Sequence, residues 1–123
     1  MKNMLVAVTS QGKDLDAGVD PRFGRASRFL LIDTDKMSFE VIENTQNLDL
    51  PQGAGIQSAQ NIAKYKPDVI LTGNCGPKAF KVLEAAGIDI VVGVEGTVRD
   101  AVKGYLDGRY SPTAEANVEG HWA

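Results

Sequence analysis

Residues 69–92 read VILTGNCGPKAFKVLEAAGIDIVV, and this stretch decides the fold. Val69-Ile70-Leu71 is a compact apolar run of strand type. Thr72 to Lys78 is a glycine–proline turn. Pro77 fits the first turn of a helix, where its missing N–H costs nothing. Ala79, Phe80, Val82, Leu83 and Ala86 then recur as a helical packing stripe, and Gly87 is a suitable C-terminal cap. Ile88 to Val92 is a second apolar run. Such a strand–helix–strand unit makes its two strands parallel, with a right-handed crossover.

Upstream, Ile56, Ala59, Ile62 and Ala63 repeat at helical spacing, and Pro67 limits that helix. Residues 4–8, MLVAV, fit a buried first strand. Arg28 to Ile32 and Met37 to Glu43 flank the turn Asp33-Thr34-Asp35-Lys36, which predicts a two-strand hairpin. In its second strand Phe39, Val41 and Met37 fall on one face. Downstream, Thr97 to Asp100 has the spacing of a capping box. Val98, Ala101, Val102, Tyr105 and Leu106 then face the core of a helix that ends near Gly108. The order is three strands, then helix, strand, helix, strand, helix. Apolar strands flanked by helices on two faces imply a three-layer α/β domain. A five-stranded mixed sheet in the order 3-2-1-4-5, with strand 2 antiparallel, suits the hairpin and the crossovers. Residues 1–108 form this one domain, and 109–123 read as a C-terminal tail.

The chain has 123 residues, a length that suits a single core. Its formal net charge of −3 argues against non-specific nucleic-acid binding. No apolar stretch reaches membrane-spanning length, and the N-terminus lacks the pattern of a secretory signal, so a cytoplasmic location is expected. One cysteine, Cys75, excludes an internal disulfide and a four-cysteine metal site within one chain. The sole histidine is His121, beside Trp122. One Cys and one His suit a cluster that brings its own sulfides, or a site shared in a homodimer.

Two long connections stand out, Thr9 to Ser27 and Asn44 to Gly55. The first is too long for a simple joint and reads as an ordered functional loop or a flap. In the predicted sheet it leaves beside the 73–78 turn, at the strand ends where ligands commonly bind. It carries Arg22 and Arg25, with Phe23 between them as an anchor. Lys78 lies in the first turn of the following helix, whose N–H groups favour an anion. Cys75 has two readings. Exposed, its thiolate is stabilised by the helix start and can bind metal. Tucked under the turn, it is a small packing residue. Gly73 and Gly76 either form the turn or let a bulky ligand approach the backbone. Asn74 either bonds a ligand or its own backbone.

Catalytic readings find little support. Two-metal phosphoryl chemistry needs converging carboxylates. The first strand has none, and Asp14, Asp16 and Asp20 lie in a loop. No cysteine–histidine triad is visible, and no arginine completes a phosphate loop after Cys75.

Three segments carry a family resemblance. They are VDPRFGR (19–25) with FLLID (29–33), GAGIQ (53–57), and TGNCGPKAF (72–80) closing in AAGI (85–88). Over about residues 4–107 the chain resembles the dinitrogenase iron–molybdenum cofactor biosynthesis proteins, which include NifX-type proteins and the C-terminal domain of NifB-type proteins. The resemblance implies a ribonuclease H-like three-layer fold and a carrier or accessory role rather than catalysis. Some members carry iron–molybdenum cofactor or its iron–sulfur precursor, and one relative carries a molybdenum–copper sulfide cluster. Stand-alone members accompany ParA/MinD-type ATPases, so the implied partners are a cluster-assembly protein or such an ATPase, and a metal-free adaptor is the alternative role. Mapped onto this chain, the pattern makes Cys75 the cluster-ligand candidate, with His121 as a second metal ligand. Arg22, Arg25 and Lys78 offset cluster charge, and Gly73, Asn74 and Gly76 complete the turn around it.

Overall fold

Leu5–Ser10 (β1) is apolar on both faces, and both faces are covered, so it takes the middle of the sheet. Val6 and Val8 enter one core cluster and Ala7 the other, as alternation along a strand requires. The structure, a computed structural model, describes residues 4–44 and 54–113. Arg28–Asp33 (β2) pairs antiparallel with β1, and Ser38–Glu43 (β3) pairs antiparallel with β2. Val69–Leu71 (β4) lies parallel on the other side of β1, and Asp89–Val91 (β5) lies parallel beyond it. The sheet order is β3-β2-β1-β4-β5, the order expected from the hairpin and the crossovers.

Ala54–Ala63 (α1) and Pro77–Ala85 (α2) cover one face through Ala59, Ile62, Ala79, Phe80 and Leu83. Val98–Leu106 (α3) covers the other through Val98, Ala101 and Val102. These are the three layers of the ribonuclease H-like arrangement. Each fully buried Leu, Ile or Val contributes roughly 1.5–3 kcal/mol, so the two apolar faces dominate stability.

Helix ends follow local chemistry. Pro77 occupies the first turn of α2. At its other end Gly87 has φ +77, and the N–H groups of Gly87 and Ile88 donate to the carbonyls of Glu84 and Leu83 at 3.0 Å each. This is a Schellman closure, and it takes Ile88 out of the strand assigned to it from sequence. Ala86 is exposed, contrary to the packing stripe, because it is the C-cap residue where the chain turns away. Leu106 is also exposed rather than core, at the last position of α3. Phe39 lies out on the edge strand, 41% exposed. Residues 109–113 continue along the domain. Tyr110 packs over Gly104, and Thr113 N–H donates to the carbonyl of Ile90 at 2.7 Å.

Candidate functional site

The loop from Gln11 to Ser27 is ordered by bonds at three places. Near its start, Gln11 N–H donates to Gly18 O, and Asp20 N–H to Thr9 O. Next it meets α3. Val98 N–H donates to Ala17 O at 2.9 Å and Arg99 N–H to Leu15 O at 2.8 Å, while Thr97 Oγ1 accepts from Asp100 N–H at 3.1 Å. Thr97 supplies the capping half of the expected box, and loop carbonyls fill the remaining free N–H positions of the helix start. Arg99 Nε also pairs with Asp16 Oδ1 at 3.1 Å.

Further on, the loop reaches the 73–78 turn. Arg22 and Asn74 form a parallel bridge, with Phe23 N–H donating to Asn74 O at 3.1 Å. Asn74 Nδ2 donates to Pro21 O at 2.8 Å. Asn74 thus ties the turn to the arginine loop. Phe23 is fully buried, with its ring centroid 5.5 Å from that of Phe29, and it anchors the loop as its sequence position suggested. Arg22 is exposed and has no ion pair among the described residues, whereas Arg25 is half-buried. Arg28 is occupied elsewhere, donating to Gln11 O at 2.9 Å and lying 3.7 Å from Glu43.

Gly73 is required by this seam. A Cβ there would meet Pro21 Cα and Pro21 O at 2.7 Å, so the space beside Gly73 holds the chain's own backbone. Gly76, by contrast, has ordinary extended angles (φ −80, ψ 169) and is the N-cap of α2. Among the described residues no side chain caps that helix start, and Pro77 has no N–H to offer. The N–H groups of Lys78 and Ala79 are therefore uncapped, unlike their counterparts in α3. The Lys78 side chain is exposed next to them.

Cys75 is fully buried within the α1/α2-side core. Its Sγ lies 3.7 Å from Gly76 O. Burial pushes the thiol pKa up to about 12, so the group is a protonated thiol at neutral pH. Of the two readings of Cys75, the structure has the sulfur tucked under the turn, where desolvation outweighs the helix N–H groups. Among the described residues, no group of three or more His, Cys, Asp or Glu is placed to hold a metal ion. His121 and Trp122 lie outside the described residues, as do Pro51 and Gly53.

A side-chain network beneath the loop was not anticipated from the sequence. Asn44 Nδ2 donates to Ala26 O at 2.9 Å and to Ser58 Oγ at 2.8 Å. Ser58 Oγ in turn donates to Gly24 O at 3.1 Å, and Asn61 Nδ2 donates to Asn44 Oδ1 at 3.1 Å. All three side chains are buried. Its trace in the sequence is two polar residues at positions 58 and 61, interleaved with Ala59 and Ile62. A second buried pair, Thr9 and Thr72, joins the ends of β1 and β4 with Oγ1 atoms 2.9 Å apart.

The rim built by the 19–25 loop and the 73–78 turn coincides with the most distinctive sequence segments. Residues 3–108 match the family described as dinitrogenase iron-molybdenum cofactor. The chain belongs to this family. The chain is similar to the orange protein of Desulfovibrio gigas, solved in its apo form, with 46% identity and a TM-score of 0.91 over 94% of this chain and 97% of that one. It is also similar to a putative NifB protein from Thermotoga, with 33% identity and a TM-score of 0.81 over 95% and 99% of the two chains. An uncharacterized protein of Methanocaldococcus jannaschii is 31% identical over 94 residues, 74% of this chain and 79% of that protein. Family membership associates the fold with an iron–molybdenum cofactor. No helix among the described residues is long and apolar enough to cross a membrane.

Proposed function

We propose that this protein is a NifX-type carrier. It binds a preassembled, anionic metal–sulfur cluster at the arginine-loop rim and passes it to an assembly partner in the cytoplasm, without chemical turnover. The observation that carries the reading is the bridge between Arg22 and Asn74. It sets a cation-bearing loop directly beside the start of α2, which has no side-chain cap among the described residues. Arg22, Arg25, Lys78 and the Lys78 N–H then face the cargo's peripheral sulfur atoms, by charge and by charge-assisted hydrogen bonds. In this reading Cys75 packs beneath the rim. Direct ligation by its sulfur requires the thiol both to leave the core and to lose a proton held up to about pKa 12.

The test is anaerobic incubation with tetrathiomolybdate and, separately, with ferrous iron and sulfide, followed by gel filtration, metal and sulfide analysis, and an absorption spectrum. The expected result is a coloured, salt-sensitive adduct of fixed metal-to-sulfide ratio. Arg22→Gln combined with Arg25→Gln weakens it at least about tenfold, the scale of lost charge-assisted bonds. Cys75→Ser retains it. Equal binding by the double arginine variant overturns the rim assignment, and loss of the adduct in Cys75→Ser makes the cysteine a ligand after all.

A further inference from the structure

We infer that Ser58 and Asn74 are positioning residues, Ser58 together with Asn44 fixing the backbone on the two sides of Arg25 and Asn74 fixing both sides of Arg22, so that the two arginines are presented to cargo on a preorganised frame. The inference rests on the reading that these arginines hold an anionic cargo, and it adds how the loop attains its geometry and which buried residues set it.

The pinning is paired. Arg25 stands between Gly24 and Ala26. The carbonyl of Gly24 accepts from Ser58 and that of Ala26 from Asn44. Arg22 stands between Pro21 and Phe23. The carbonyl of Pro21 accepts from the Asn74 side chain, and the N–H of Phe23 donates to the Asn74 carbonyl. Arg22 N–H is held as well, by Asp20 Oδ1 at 3.0 Å. Each neighbour of each arginine is therefore tied to a residue outside the loop, Gly24 to Ser58, Ala26 to Asn44, and Pro21 and Phe23 both to Asn74.

The donor arithmetic around Ser58 leaves no slack. A primary amide has two N–H bonds, and Asn44 uses both, one on Ala26 O and one on Ser58 Oγ. The Ser58 hydroxyl has one hydrogen, and it goes to Gly24 O. The amide oxygen of Asn44 accepts from Asn61. The result is a directed chain, Asn61 to Asn44 to Ser58 to Gly24, in which each bond polarises the next. An irregular loop that buries carbonyls needs internal donors, and this one draws them from α1 and the end of β3. A loop held this way loses little conformational freedom when cargo binds, which favours affinity for a rigid, compact anion.

A double-mutant cycle on tetrathiomolybdate binding tests this, read by titration calorimetry under conditions where circular dichroism shows every variant folded. Ser58→Ala is expected to weaken binding about two- to tenfold, the ordering cost of one long side chain. In the Arg25→Gln background the same change is expected to have no effect on affinity, because the positioned group is gone. Ser58→Thr, which keeps the hydroxyl, is expected to restore the affinity. Asn74→Ala, at a half-buried position that tolerates truncation better, is expected to couple to Arg22→Gln and not to Arg25→Gln. Equal losses from Ser58→Ala with and without Arg25 mean a merely structural role and overturn the inference while leaving the rim reading intact. Full binding by Arg25→Gln and Arg22→Gln overturns the rim reading instead, and this inference with it.

Discussion

Replacing Gly73 by alanine tests the seam between the two loops directly. The new Cβ falls 2.7 Å from both the Cα and the carbonyl oxygen of Pro21, and 3.1 Å from its carbonyl carbon. These are backbone atoms, so no flexible side chain can yield. Retreat is blocked on the other side, because Gly73 O accepts from Gly93 N–H at 2.8 Å and Thr72 is held by Val91 and Val94. The loop must lift away from the turn. Overpacking of this kind costs about 1–3 kcal/mol. Loss of the Asn74–Pro21 and Phe23–Asn74 bonds adds about 1 kcal/mol each. Gly73→Ala should therefore destabilise the protein by roughly 3–5 kcal/mol, or about 12–20 °C in Tm at roughly 4 °C per kcal/mol. Urea denaturation and thermal melts followed by circular dichroism give the value. Gly87→Ala is the control. Its φ of +77 imposes strain, but open space surrounds it, and it should cost only about 1 kcal/mol. A Gly73→Ala protein no less stable than the Gly87→Ala control refutes the close-approach reasoning.

Three further outcomes are expected. Thr97→Ala removes the side-chain acceptor for Asp100 N–H and should lower stability by about 1 kcal/mol in urea unfolding, with the m-value unchanged. Native Cys75 should react with a disulfide reagent at pH 8 about a thousandfold more slowly than in the unfolded chain, since a pKa near 12 against the ordinary 9.0 cuts the thiolate fraction by about that factor. The same shift sets a pH dependence. The unfolded thiol ionises above pH 9.0 while the folded one stays protonated to about 12, so the folded state binds the extra proton. This contribution is fully present below pH 9 and is lost as pH rises towards 12, by at most about 1.4 kcal/mol per pH unit, and Cys75→Ala should remove that slope from alkaline urea titrations.

The sheet order was legible in the sequence because its elements carry local signals that agree with one another. The turn at Asp33 to Lys36 gives the hairpin, and Pro77 and Gly87 bracket α2. The apolar runs of β1, β4 and β5 mark strands covered on both faces. Ala86 and Leu106 were misplaced because helical periodicity continues to the last turn, whereas burial depends on where the chain leaves the surface. Phe23 could be read as an anchor from its place between two arginines. The contacts that shape the rim could not be read in this way. Asn74 reaches Pro21 across 53 positions in sequence, and Asn44 meets Ser58 across 14. Polar side chains in a turn or a helix carry no mark of a partner that distant. The state of Cys75 was equally hidden, since the same turn accommodates a sulfur above or below it, and only the packing of α1 and α2 decides.

The carbonyls of Leu15 and Ala17 terminate a helix that begins more than 80 positions later. That arrangement makes the front of the long loop and α3 one cooperative unit. Detaching the loop there strands two helix N–H groups, so neither part frays alone. Amide exchange at Val98 and Arg99 consequently reports on the loop rather than on the helix, and the two should open with a common free energy. On the proposed rim reading, cargo would then enter and leave by motions on the turn side, at the start of α2.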